Sequence, residues 1–230
     1  MSSRTILRLA SSPLAKKPFY RTLRPAAARL AFAHTMSSKT LLDAIKEDHQ
    51  EMYSYYDEYK RASGDKDAQE RWSNQLTWEI ARHAVGEEIV VYPLMEKHLG
   101  QKGVELADKD RAEHQVVKDK LYNLESLTPG SDEHSDLLKT AMDELRKHNN
   151  GEENNDLPLL EPELGKDGSI AAATSFSRTK KFVPTRPHPS APNKPPFETL
   201  AGLMAAPMDK LKDAFAKFPT EEMKEQAKLH

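Results

Sequence analysis

The sequence predicts an all-α protein: an antiparallel up-down four-helix bundle, followed by a Pro-rich linker and a C-terminal amphipathic helix. Three observations carry this prediction. Apolar residues recur at three- and four-residue steps in four consecutive stretches, turn-forming clusters separate the stretches, and no β-type alternation competes with them. The first helix covers 38–61, where Leu41, Leu42, Ile45, His49, Met52, Tyr56 and Tyr59 share a stripe, and Ser63-Gly64-Asp65 ends it. The second runs from about Asp67 through Trp72, Leu76, Ile80, His83 and Glu87 toward Val91. Pro93 removes the bond to the Ile89 carbonyl, so a kink or stop is expected about one turn beyond Glu88. Gly100 to Gly103 forms the next break.

The third helix spans about Val104 to Leu127, with Leu106, Asp110, His114, Val117, Leu121 and Leu124 on one stripe. Thr128-Pro129-Gly130-Ser131 is a strong turn signal. The fourth helix runs from about Asp132 through Leu137, Leu138, Ala141, Leu145, His148 and Glu152. Asn149, Asn150 and Gly151 are poor helix formers, so its last turn is expected to be irregular. Pro158 repeats the placement of Pro93. Four domains result: a segment 1–35, a bundle 36–164, a Pro-rich linker or extended wrap 165–196, and a helical tail 197–230. In the tail, Leu200, Leu203, Met204, Met208, Leu211, Phe215 and Phe218 fall at helical spacing, interrupted by Pro207. This helix could dock on the bundle, on a partner protein or on a membrane surface.

Composition narrows the function. The chain carries 34 Lys/Arg and 36 Asp/Glu, but unevenly: residues 36–164 hold 16 basic against 29 acidic residues. An acidic domain does not suit nucleic acid, which demands phosphate neutralisation, and does suit cations. There is no cysteine, which excludes disulfides, thiolate metal sites, iron–sulfur clusters and cysteine nucleophiles. No apolar run is long enough for a transmembrane segment. Residues 1–35 contain seven Lys/Arg and no acid, interspersed with Leu, Ala and Ser, which is the pattern of a mitochondrial targeting segment. Initiation at Met36, where Met36-Ser-Ser echoes Met1-Ser-Ser, would yield a cytoplasmic form.

One motif occurs twice without a gap, 65 residues apart: His83-Ala-Val-Gly86-Glu87-Glu88 with Pro93-Leu94-x-Glu96, and His148-Asn-Asn-Gly151-Glu152-Glu153 with Pro158-Leu159-x-Glu161. His49 and His114 obey the same offset. Each His-x-x-x-Glu places an imidazole and a carboxylate on one helical face. A single histidine on an apolar stripe is ordinarily a satisfied core residue. Four of them, one per helix, with two glutamates, would cost about 1–3 kcal/mol for each unpaired polar group, and a metal pair satisfies all six. One metal would be saturated by six ligands. Two metals bridged by Glu87 and Glu152 would each have two histidines, two carboxylate oxygens and an open position. Nitrogen and oxygen donors with open positions suit redox iron, although manganese takes the same donors. Two non-haem iron ions are therefore the expected cofactor.

Supporting residues are read more cautiously. Glu88 and Glu153, at i+5, turn about 100° from the ligand line and are expected in solvated or supporting positions. Tyr53 and Tyr92 are candidates for hydrogen bonds behind the ligands, with core packing the default. Asp48 and Glu113 precede His49 and His114 and could orient an imidazole N–H. Trp72 and Trp78 are expected in the core, and His98, His134, His188 and His230 on the surface.

His49, His83-x-x-x-Glu87, His114 and His148-x-x-x-Glu152 together resemble the hemerythrin-like, or HHE cation-binding, domain over about residues 38–162, with all six motif positions filled. The resemblance implies a four-helix bundle around a non-haem di-iron centre with these six residues as ligands. Oxygen-carrying hemerythrin has a further histidine on its third helix, i+4 from the first, and an aspartate late on the fourth. Here that i+4 position is Lys118 and Glu152 takes the carboxylate role, a departure that leaves one iron less saturated with imidazole and disfavours reversible oxygen carriage. The resemblance implies instead iron handling, or binding and sensing of dioxygen, nitric oxide or peroxide. An enzyme that reduces nitric oxide or decomposes peroxide needs the same six ligands. A structural or interaction bundle with incidental metal is the third alternative, and the intact ligand set counts against it.

Overall fold

The computed structural model describes residues 39–229, and all their regular structure is helical. The expected targeting segment 1–35, His34, Met36 and His230 lie outside the described residues. Helix α1 spans Leu41–Arg61 and α2 spans Lys66–Leu124. At Gly100 a φ of 58° breaks α2 into two arms, 66–99 and 101–124. Pairings of Glu88 with Lys118, Tyr92 with His114 and Glu96 with Arg111 run in opposite order along the arms, so the arms are antiparallel. Helix α3 covers Asp132–Gly151, a π turn occupies Glu152–Asp156, and α4 covers Leu157–Thr179. α5 (Phe197–Asp213) and α6 (Glu221–Ala227) close the chain.

Helices α1, α2 and α3 each start where a turn supplies a cap. Thr40 and Asp43 form a reciprocal capping box on α1, Asp65 accepts from the Ala68 N–H at 3.1 Å, and Ser131 accepts from the His134 N–H at 3.2 Å. The bundle consists of α1, the two arms of α2, and α3 continued through the π turn into α4. Its core is split in two. Met52, Trp72, Leu76, Val117, Leu121, Leu138 and Met142 fill one end, and Leu41, Ile45, Tyr92, Met95, Leu157 and Leu160 fill the other. A polar layer lies between them.

Three expectations change. Pro93 does not end its helix, which keeps helical geometry to Leu99. Val91, Tyr92 and Met95 around it are fully buried, and this packing outweighs a proline cost of about 3 kcal/mol. The break at 100–103 is confined to Gly100; Gly103 already lies in the second arm, where a Cβ would fall 1.9 Å from the Met95 carbonyl oxygen. The linker expected from Gly165 begins only after Thr179. Gly165, with a φ of 65°, breaks the helical path, and Ser169, Ala172, Ala173 and Phe176 bury a narrow face of small residues beside one ring. The Leu41 N–H donates to Ser169 Oγ at 2.8 Å and the Leu42 N–H to Glu161 Oε1 at 2.8 Å, so this return caps the start of α1.

Beyond Thr179 the extended segment wraps the bundle. Arg82, Gln115 and Arg111 donate to the carbonyls of Lys180, Pro189 and Asn193. α5 continues through Pro207 without interruption and buries Ala206 and Asp209, while Leu203, Met204, Met208 and Leu211 remain exposed. Among the described residues no helix is long and apolar enough to cross a membrane.

Candidate metal centre

The polar layer contains all six residues that the repeat singled out. His49, His83, His114, His148, Glu87 and Glu152 are buried, one histidine from each of α1, the first arm, the second arm and α3. The histidines meet in pairs. His49 Nε2 lies 3.0 Å from His83 Nε2, and His114 Nε2 lies 3.0 Å from His148 Nε2. Two imidazoles at right angles on a metal, with bonds of about 2.1 Å, stand about 3.0 Å apart. Glu87 spans the pairs, with Oε1 2.9 Å from His83 Nε2 and Oε2 3.3 Å from His114 Nε2. Glu152 Oε2 lies 3.7 Å from His49 Nε2 and 3.9 Å from His148 Nε2. The donor atoms form two overlapping groups, one of His49, His83, Glu87 and Glu152, the other of Glu87, His114 and His148.

The irregular last turn expected of the fourth helix appears one residue later, as the π turn that starts at Glu152. Asn149, Asn150 and Gly151 make departure from regular helix inexpensive there, and π turns are frequent at functional sites. Glu152 and Asp156 both end up buried.

Behind the ring, every histidine is oriented by a carboxylate. His83 Nδ1 donates to Asp48 at 3.0 Å and His148 Nδ1 to Glu113 at 3.0 Å. His49 Nδ1 donates to Glu153 at 2.7 Å and His114 Nδ1 to Glu88 at 3.0 Å. The 65-residue offset relates these contacts by twos: Asp48 matches Glu113, and Glu88 matches Glu153. Each second glutamate of the doubled motif thus serves the histidine of the other repeat. With Nδ1 fixed as the donor, each Nε2 lone pair faces the centre, the tautomer a metal ligand requires. Glu88 is not solvated: it is fully buried and receives Lys118 Nζ at 2.6 Å on both oxygens. Lys118 therefore neutralises a supporting carboxylate.

Electrostatics without metal are strained. All four oxygens of Glu87 and Glu152 are buried with no hydrogen-bonded partner. Burial followed by the Glu87 charge pushes the Glu152 carboxyl well above the usual range. Glu87 moves the other way: despite burial, the charges and contacts of His83 and His114 hold it well below that range. Burial lowers His49 to about 4, whereas Glu87 and Asp48 overcome burial and raise His83 to about 9. Divalent cations between the histidine pairs would satisfy the four orphaned oxygens and remove the carboxylate repulsion. The residues present fit such cations.

Other expectations resolve in the same frame. Tyr92 OH lies 3.0 Å from His114 Nε2, whereas Tyr53 takes a hydrogen bond from Asn149 instead of touching a ligand. Trp72 is core, and Trp78 carries Arg82 over its ring at 3.6 Å. His134, expected on the surface, is buried and bonded to Tyr59 and Ser73, because the turn before α3 folds its first residues onto the core end that holds Met52 and Leu76. His188 is half-buried on Asp209. Sequence reasoning missed two lysines at the site's edge, Lys109 and Lys180; neither lies in the motif, and although Lys109 has Glu113 at i+4, the partners of Lys180 lie more than 100 residues away.

Residues 40–160 match the family described as the hemerythrin HHE cation binding domain. The chain is also 54% identical over 177 residues to an uncharacterised hemerythrin-like protein of Schizosaccharomyces pombe, covering 77% of this chain and 87% of that relative. No solved structure matches it. With the family's match covering the bundle and its histidine layer, the chain belongs to the hemerythrin HHE cation-binding family.

Proposed function

We propose that this protein holds two non-haem irons, one between His49 and His83 and the other between His114 and His148, with Glu87 and Glu152 shared. It uses them to handle iron and to bind or sense a small ligand: dioxygen, nitric oxide or peroxide. The observation that carries this reading is Glu87, fully buried, whose two oxygens each face a different histidine pair. When bound, the iron pair supplies redox-active positions open to such a ligand. The protein supplies the rest. Four carboxylates fix the imidazole tautomers, and Tyr92 holds a hydroxyl group 3.0 Å from His114 Nε2. Full-length protein from iron-replete cells should contain iron in pairs, with oxo-to-iron charge-transfer absorption, and His83→Ala should lose both. Metal-free, fully folded protein indifferent to His83→Ala would sink the proposal.

We also infer that residues 1–35 direct import into mitochondria, supported by their basic, acid-free composition. A reporter fused to them that stays in the cytosol refutes this. The exposed Leu203, Met204, Met208 and Leu211 of α5 support contact of the tail with a protein or membrane surface. Full-length protein should then lose that contact on replacing Leu203 and Met208 by serine.

A further inference from the structure

The repeat is faithful at the ligands and unfaithful behind one of them. Matched through the 65-residue offset, the buried apolar pair Ile45 and Val91 of the first half becomes Asp110 and Asp156 in the second. With Glu113 they gather on the far side of the His148 ring. Glu113 accepts from His148 Nδ1 at 3.0 Å, Asp110 Oδ1 lies 3.9 Å from the same nitrogen, and Asp110, Glu113 and His148 together present cation-type donors. One ammonium lies among them: Lys109 Nζ is 3.0 Å from Asp110 and 3.5 Å from both Glu113 and Asp156. That single cation faces three carboxylates. Asp110 is fully buried, and its second oxygen has no hydrogen-bond partner.

The edge of this place reaches solvent, with Asp110 and Asp156 buried behind it. The Lys109 side chain is 46% exposed, and Lys109 and Glu113 line a surface cavity of about 310 Å³. The matching face of the other half is shut. There Lys180, only 10% exposed, is locked between Asp48 and Glu79, and Phe176 packs on Gly86. Any dication reaching the buried layer must shed water and meet oxygen ligands on the way. Among the described residues the His148 side offers them beside an opening, whereas on the His83 side the group of Asp48, Glu51 and Glu79 is filled by the inaccessible Lys180.

We propose that Asp110, Glu113 and Asp156 form a loading port for a divalent cation of the ferrous type, with Lys109 as a tethered ammonium that fills the port when no ion passes. This inference rests on the dinuclear reading above. The arriving ion displaces Lys109, which is free to swing into solvent, and takes carboxylate oxygens in place of water. It then passes around the His148 ring, from its Nδ1 side to its Nε2 side. Carboxylates focused at such an opening raise the local cation concentration and the rate of arrival.

Metal-free full-length protein mixed with cobalt(II), followed by its visible absorption, separates arrival from final binding. Asp110→Asn and Asp156→Asn should each slow filling by about tenfold while leaving the final metal content unchanged. Lys109→Met should fill faster than the wild type. Glu51→Gln, an acid near Asp48 and Glu79 on the shut half, should fill at the wild-type rate. Wild-type filling rates in both asparagine variants overturn the port and leave the dinuclear centre standing. Equal slowing in Glu51→Gln also overturns it, because the effect is then the general charge of the bundle. Loss of final metal content in the asparagine variants makes those residues permanent supports of the centre, which equally contradicts a port. A wild-type protein that takes up no cobalt at the histidines defeats the dinuclear reading, and the port with it.

Discussion

In the half of the centre built from His49 and His83, the ligands are backed by apolar and sealed surroundings: Ile45 and Val91 are buried, Phe176 stands edge-on to His83 at 5.5 Å, and Lys180 is bolted between Asp48 and Glu79. In the half built from His114 and His148, the same offset yields Asp110 and Asp156, a half-exposed Lys109, the Tyr92 hydroxyl and the Lys118–Glu88 ion pair. The repeat preserves what must converge on a metal and lets everything behind it diverge. One half is therefore sealed, and the other is more polar and reaches solvent at Lys109.

The lysines should break this comparison most sharply. Lys180→Met leaves Asp48 and Glu79 buried without their shared cation and should cost about 3–5 kcal/mol. Lys109→Met also removes a cation from buried carboxylates, Asp110 and Asp156, but at a half-exposed position where water can take its place, and should cost less than Lys180→Met. Chemical denaturation of both variants reads the difference, and equal costs would erase the distinction between sealed and open halves.

The glycines of the doubled motif offer a smaller test with opposite signs. A Cβ on Gly86 would lie 2.9 Å from Phe176 Cε2, and Phe176 is fully buried with nowhere to retreat. Gly86→Ala should destabilise by about 1–3 kcal/mol through overpacking. At Gly151, which has helical dihedrals, the nearest neighbour of a Cβ is Lys109 Nζ at 3.7 Å. Gly151→Ala should stabilise by about 0.5–1 kcal/mol, the usual gain in a helix interior. Melting temperatures that move in the same direction would contradict the packing described for α4.

The smallest effect concerns the shared carboxylates without metal. Burial and the Glu87 charge raise Glu152 above its unfolded value, so the unfolded chain releases this proton first as pH rises. Its contribution to stability is complete below the ordinary carboxylate range and is lost as pH climbs toward the folded value. Metal-free Glu152→Gln should match metal-free wild type in acid and exceed it in melting temperature as pH rises. Loading metal should reverse the order, because only the wild type gains the full binding energy of the folded state.

The bundle and the six inward-facing side chains could be read from the sequence, because a helical stripe and a 65-residue period both act through local spacing. What stood behind them could not. A stripe says that Glu88 and Glu153 leave the line of Glu87 and Glu152, but not that each then meets a histidine of the opposite repeat. Residues 166–179 look like linker because Gly, Ser and Ala carry little apolar signal, yet their small size is what lets α4 lie close against α1 and Gly86. Pro93 stays helical because Val91, Tyr92 and Met95 are packed from several helices, a contribution no local propensity contains. The contrast between Lys109 and Lys180 is likewise tertiary, since Lys180 meets Asp48 and Glu79 across more than 100 residues of sequence.

The central claim is that the two unlike halves share one pair of bridged irons. Mössbauer spectroscopy of full-length protein filled with isotopically enriched iron tests it most directly. The account predicts equal signals from two inequivalent irons, coupled to each other through their bridges, and their joint loss in Glu87→Ala. Uncoupled single iron, or a spectrum unchanged by Glu87→Ala, would contradict it.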